Sequence, residues 1–166
     1  IRIGLWGNEE NGLHGSSAYA REHLGTLDAP KPDLAKMAAY FNLDNGAGAI
    51  RGIHTQGNAA IAPIFHAWLD PVRDIGATHI SVRSTGSTDH ASFDAAGLPG
   101  FQFIQDARDY STRTHHSHID TYEHLDPADM KQAAVVMASF LYQAAMLDGP
   151  FPRKPLPVEP PQKPEK

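Results

Sequence analysis

The 166-residue chain contains no cysteine, which excludes disulfides, thiolate metal sites and a cysteine nucleophile. It also lacks any apolar run near the ~20 residues needed to span a membrane. No basic stripe appears, and the aromatic residues, 8% of the chain, are not interleaved with Lys or Arg, which argues against a nucleic-acid surface. No charged segment followed by an apolar one opens the chain, so no signal peptide is visible. There is no initiator Met, and Ile1 reads as the inside of a strand. The chain is therefore expected to be a piece of a longer precursor.

What is present suits one core: 41% hydrophobic residues and a net charge of -5. Ten histidines are many for this length, and with cysteine absent any metal must be held by His, Asp and Glu. The pattern alternates between strands and helices. Residues 1–6, 37–43, 50–55, 79–82 and 101–104 read as strands. Residues 16–24, 58–75, 89–96 and 127–147 read as helices. Ser16 or Ser17 is the expected N-cap of the first, and Asp126-Pro127 opens the last, in which Val135, Val136, Phe140, Leu141 and Leu147 should form the buried face. Pro71 should kink or stop the second. Alternating elements predict an α/β layer structure, with residues 1–149 as the domain. Residues 150–166 form a Pro-rich tail, either an arm wrapped on the domain or a disordered extension.

Three segments carry acidic or imidazole groups just after expected strands: Glu9-Glu10, Asp44, and the loop Thr114-His115-His116-Ser117-His118-Ile119-Asp120-Thr121. In α/β sheets ligands bind beyond the carboxyl ends of strands. Zinc accepts carboxylate oxygen and imidazole nitrogen, and a second carboxylate nearby can move a proton. Each segment alone also reads as a solvated polar loop. Asp89 reads equally as the N-cap of the helix it opens.

Trp6-Gly7-Asn8-Glu9-Glu10-Asn11-Gly12-Leu13-His14-Gly15-Ser16 resembles the glutamate-pair segment of co-catalytic zinc aminopeptidases and carboxypeptidases. Phe41-Asn42-Leu43-Asp44 resembles their next ligand segment. Ser87-Thr88-Asp89-His90-Ala91-Ser92-Phe93 with Ala96-Gly97-Leu98-Pro99-Gly100 resembles their substrate-side loop and helix. His116-Ser117-His118-Ile119-Asp120-Thr121 resembles their last motif, and the doubled His115-His116 is most similar to the plasma glutamate carboxypeptidase branch.

The resemblance implies a three-layer α/β/α fold with a mixed, mainly parallel sheet, lacking its N-terminal part here. It implies an exopeptidase for short peptides, aminopeptidase or dipeptidase, with two zinc ions in the complete enzyme and one or none in this piece. Glu9 would be the general base that activates water. Glu10 and His116 would hold one zinc and Asp44 the second. His115 stands where many relatives carry a Tyr that stabilises the oxyanion. Asp89, His90 and Asp120 are expected behind the ligands or against the substrate; His14, His23, His66 and His124 read as surface residues. The relatives' upstream His-x-Asp ligand segment does not occur here, so its partner would be the N-terminal part of the same domain. The resemblance also admits a homodimer and a secreted or periplasmic location. Two alternatives stay open: a glutaminyl-cyclase-like acyltransferase with one zinc, and a non-catalytic assembly module with the same fold.

Overall fold

The structure, a computed structural model, describes residues 1–26 and 28–154. Four strands among the described residues form one sheet: β1 (Tyr40–Asn42), β2 (Ile50–His54), β3 (His79–Ser81) and β4 (Gly100–Gln105), in the order β1-β4-β2-β3. β4 pairs parallel with β1 and antiparallel with β2, and β2 pairs parallel with β3. This is the expected mixed, mainly parallel α/β sheet. Four α-helices accompany it: α2 (Ala62–Leu69), α3 (His90–Ala95) and α4 (Pro127–Ala145) pack against the sheet, and α1 (His14–Tyr19) packs against α3.

The two-residue alternation of strands divides the sheet into faces. Register places Phe41 beside Phe101 and Asn42 beside Gln102. Phe41, Phe101 and Phe103 pack with Phe65 and Trp68 of α2 and Val136 and Phe140 of α4. On the other side a smaller cluster forms from Leu24, Phe93, Ala96 and Leu98, with Trp6, Tyr19 and Tyr40 against it. Tyr40 stacks on Phe93 with centroids 4.0 Å apart. Gly52 has no tolerance for a side chain, because a Cβ there would strike the His79 backbone on the adjoining strand.

Asp126 caps α4 as expected, accepting from the Ala128 and Asp129 N–H groups at 2.7 and 3.2 Å. The buried face is shifted: Ala133, Val136 and Phe140 are buried, Leu141 and Leu147 are half-buried, and Val135 points to solvent. The expected helix 58–75 is interrupted. A 3₁₀ turn (Ala59–Ile61) leads into α2, and a second (Asp70–Ile75) follows where Pro71 cannot donate to an α-helical ladder. The first helix begins earlier than expected, after Leu13, and ends in a π-helical turn (Ala20–Leu24). Its serines do not cap it. Ser16 and Ser17 instead meet the Ser92 hydroxyl at 2.8 and 2.9 Å, tying α1 to α3.

Residues 1–6 correct the sequence expectation of a buried strand. They carry no regular secondary structure and pair with no strand, with Ile1, Ile3 and Leu5 84%, 87% and 93% exposed. A strand exists only where a neighbour takes its backbone hydrogen bonds, and no described segment lies alongside. A groove of about 1130 Å³ separates them from the outer edge of β1 and from Met137, Leu141 and Ala144 of α4. The expected strand over 37–43 shortens to β1 for the same reason, since only β4 pairs with it.

The tail expectation over 155–166 lies outside the described residues. Before it, Phe151 is buried against Trp68 and Phe101. The Asn58 side chain donates to the Pro152 carbonyl, and Lys154 pairs with Asp94 at 2.7 Å. Phe151→Ala should therefore lower unfolding free energy by about 3 kcal/mol, the usual cost of emptying an aromatic core site, read as a lower urea midpoint at unchanged slope.

Candidate metal centre

The carboxyl end of β1 delivers Leu43 and Asp44, and the parallel β4 ends on the same side of the sheet, so the 106–126 segment leaves from the same rim. The Glu9-Glu10 turn reaches that rim from the start of α1. Its backbone is closed by the Gly12 and Leu13 N–H groups, both donating to the Glu9 carbonyl at 3.0 and 2.8 Å. Gly15 donates to the Gly7 carbonyl at 3.1 Å, and a Cβ on Gly15 would press on the Gly7 backbone. That close approach folds the acidic turn back over α1.

One direct contact joins the two ends of the motif series. His116 Nε2 lies 2.8 Å from Glu10 Oε2, both side chains largely exposed at 64% and 70%. His115 stacks on His116 with centroids 3.9 Å apart, and Tyr110 packs on His115 at 4.7 Å. Glu9, Asp44 and Asp89 complete an acidic group around this pair. Partial burial, followed by the charges of Asp44, Glu10 and Asp89, holds the Glu9 carboxyl above its ordinary pKa. Asp44 is also raised, by loss of hydration at its carboxyl and then by the charges of Asp89 and Glu10. Such clustering disfavours full ionisation unless positive charge arrives.

Asp89 is buried, and its Oδ1 has no hydrogen-bond partner. Its side chain does not cap α3, so the simple N-cap reading does not describe it. His90 is wholly enclosed, its Nε2 against the Thr85 carbonyl at 2.9 Å and its pKa lowered by burial. The enclosed imidazole joins the start of α3 to the backbone of the loop before it. Asp120 is exposed and makes no hydrogen bond with His116 among the described residues. Asn8, Leu13, Ser87 and His116 all have positive φ, between 55° and 68°, so each loop flanking this rim holds a sparsely populated backbone conformation.

A buried polar chain supports the rim. Trp6 donates to the Tyr40 hydroxyl at 3.0 Å, and Tyr40 donates to Asn42 Oδ1 at 2.7 Å. Asn42 donates onward to Thr88 and to Gln102 Oε1. Burial pushes the Tyr40 phenol up to about 12, so it stays a donor at all ordinary pH. The network links the acidic turn, β1, β4 and the Asp89 loop. Nothing in the sequence pointed to it, nor to the contact of His124, whose Nδ1 meets Asp109 Oδ2 at 2.7 Å. No motif or spacing marks either set, because each pairs residues distant in the chain.

The donor chemistry fits zinc in part. Glu10 and His116 supply oxygen and nitrogen in contact, and Asp89 offers an orphaned buried oxygen. Yet among the described residues no three His, Asp or Glu groups converge closely enough to hold one ion. Zinc sites need three or four protein ligands, so the set is incomplete.

Parallel strands that end at a rim of carboxylates and imidazoles put these groups where open α/β sheets bind their ligands. The family model for peptidase family M28 matches residues 1–141, and the chain belongs to that family. It is 29% identical over 153 residues to carboxypeptidase Q of Mus musculus, covering 92% of this chain and 31% of that protein. Among solved structures it resembles a peptidase M28 precursor from Shewanella amazonensis SB2B at a TM-score of 0.69 and 28% identity, covering 93% of this chain and 33% of that one. It also resembles the zinc aminopeptidase BSAP from Bacillus subtilis, with a TM-score of 0.60 and 25% identity over 84% of this chain and 34% of that one. The chain thus spans about a third of the length of these relatives. No helix among the described residues is long and apolar enough to cross a membrane.

Exposed ion pairs contribute about 0–1 kcal/mol. His116→Ala and Glu10→Gln should therefore each leave the thermal midpoint within a few degrees of the parent. A collapse of the fold on either change would assign the pair a structural role instead.

Proposed function

We propose that this chain forms the C-terminal part of the catalytic domain of a zinc-dependent exopeptidase acting on short peptides, as an aminopeptidase or dipeptidase. The contact between Glu10 and His116 carries the reading: it joins the first and last motifs, and two side chains with zinc-ligand chemistry meet there. Family M28 membership and the likeness to a zinc aminopeptidase support it.

In this reading Glu10 and His116 hold one zinc, and Asp44 contributes to a second. When bound, zinc supplies Lewis-acid polarisation of the scissile carbonyl and lowers the pKa of water. Glu9 takes the proton from the attacking water and passes it to the leaving amine. A carboxylate suits both halves of that transfer, first accepting the proton and then releasing it. His115 lies beside His116, where an imidazole N–H can stabilise the oxyanion of the tetrahedral species. Asp89, held at the rim by the Asn42–Thr88 link, orients the ligands. Asp120 remains a candidate for the same work. His90 keeps the Asp89 loop in place.

The remaining ligands belong to the N-terminal part of the same domain, which is the proposed partner. Dimerisation of the completed enzyme and export from the cytoplasm belong to the same proposal.

The test is zinc per chain by elemental analysis, with dipeptide hydrolysis, on this chain and on its complete natural polypeptide. The complete polypeptide should hold two zincs and cleave dipeptides. Glu9→Gln in it should keep both zincs and lower kcat by about 10³-fold or more, since the proton-transfer group is gone. His115→Ala should lower kcat by about 10²-fold with zinc unchanged. Conversion of a Gln-initiated peptide to an N-terminally blocked product, with one zinc bound, would replace this reading by the acyltransferase. A metal-free complete polypeptide would replace it by the assembly module.

A further inference from the structure

His115 and His116 sit on a loop whose backbone is strained at His116, with φ at 55°. Both imidazoles are exposed, and His116 makes one side-chain contact across the rim, to Glu10. Exposed side chains on a strained loop have freedom to rotate. The reaction proposed above needs His115, which would hold no metal, fixed within a fraction of an ångström, so its own loop must restrain it.

The restraint is visible on one side. The segment Tyr110–Thr114 is a π-helical turn in which His115 N–H donates to the Tyr110 carbonyl at 2.9 Å. This wider turn brings residue 110 directly under residue 115, where an α-turn would bring residue 111. The Tyr110 ring packs on His115 at 4.7 Å with a 39° tilt, and His115 packs on His116 at 3.9 Å and 27°. Three rings thus form a continuous stack ending at the Glu10 contact.

The base of the stack is itself anchored. The Asp109 carbonyl accepts from the N–H groups of Arg113 and Thr114, at 2.8 and 3.3 Å, which closes the turn. The Asp109 carboxylate meets His124 at 2.7 Å. Thr114 is buried beneath the loop. Tyr110 is itself half-buried, and its hydroxyl has no hydrogen-bond partner among the described residues. Its role therefore falls to the face of the ring.

We propose that Tyr110 is a positioning residue whose aromatic face, stacked on His115, holds the two-imidazole unit in the orientation that the reaction requires. The inference rests on the exopeptidase reading for its kinetic consequence, though not for its geometry. Aromatic stacking adds about 0.5–1.5 kcal/mol beyond burial, enough to favour one imidazole orientation by about 2- to 13-fold.

The test compares Tyr110→Phe, which keeps the ring, with Tyr110→Leu, which keeps bulk and removes it. The geometric arm uses ¹H–¹³C NMR of the His115 and His116 ring protons in this chain, where a stacked aromatic shifts them by its ring current. Tyr110→Phe should preserve the His115 shifts and Tyr110→Leu should remove the part of them that the Tyr110 ring supplies, with the thermal midpoint of both variants within a few degrees of the parent. Unchanged shifts in Tyr110→Leu would overturn the stack. The kinetic arm uses the complete zinc-loaded polypeptide. Tyr110→Leu should lower kcat about tenfold with KM unchanged, and Tyr110→Phe should restore it. Equal loss in both variants would overturn the proposal by assigning the work to the hydroxyl; no loss in either would overturn it by removing the role. Loss of the stack by NMR with a parent that cleaves no peptide would sink the exopeptidase reading alone. If Tyr110→Leu unfolds, Tyr110→Met takes its place, and the same shifts decide.

Discussion

The arrangement of this domain depends on the pairing of β4 with β1 on one edge and β2 on the other. Parallel pairing with β1 sends both carboxyl ends to the same rim, where Asp44 and the 106–126 segment emerge together. Antiparallel pairing with β2 turns the remaining strands the other way, so β2 and β3 shape the far side. Phe101 and Phe103 of β4 anchor the larger core, and Gln102, on the opposite face, receives the Asn42 amide. One strand therefore sets the core, the polar network and the position of the candidate centre. Breaking its register by one residue would exchange Gln102 with the phenylalanines and place an amide in the core.

Much of this was legible in the chain. Apolar runs followed by acidic or imidazole groups marked the rim, because strand periodicity and loop chemistry are local properties. The acidic pair, Asp44 and His115-His116 are recognisable by motif, and the structure brings Glu10 and His116 into contact. Asp126-Pro127 announced α4 for the same reason: a cap is a local interaction. Residues 1–6 show the limit of that logic. Their apolar pattern is that of a strand, but pairing is a property of two segments, and the second is not among the described residues. Interactions between distant residues were equally invisible. Nothing in the spacing of Trp6, Tyr40, Asn42, Thr88 and Gln102, or of Asp109 and His124, signals that they meet.

His90 illustrates how burial reassigns a residue. As one of ten histidines, next to Asp89, it invited a role at the substrate. In the structure its ring is enclosed and meets the Thr85 carbonyl, and burial disfavours its charged form. Asp89 moves the other way. It opens a helix without capping it, and an acidic oxygen left unpartnered in a buried setting is costly.

That cost, and the mutual repulsion of Glu9, Glu10 and Asp44, has to be balanced by something positive. Within the described residues the available counterweight is imidazole: His116 pulls the Glu9 pKa down, and His115 acts likewise on Asp44. Neither offsets the upward drive from burial and the neighbouring carboxylates. A dication placed among these groups would reverse the balance, favouring ionised carboxylates and neutral imidazoles in one step. The shortage is of ligands rather than of charge, since no three groups yet converge. Convergence of three or four donors is thus the physical condition under which such a rim becomes a stable metal centre.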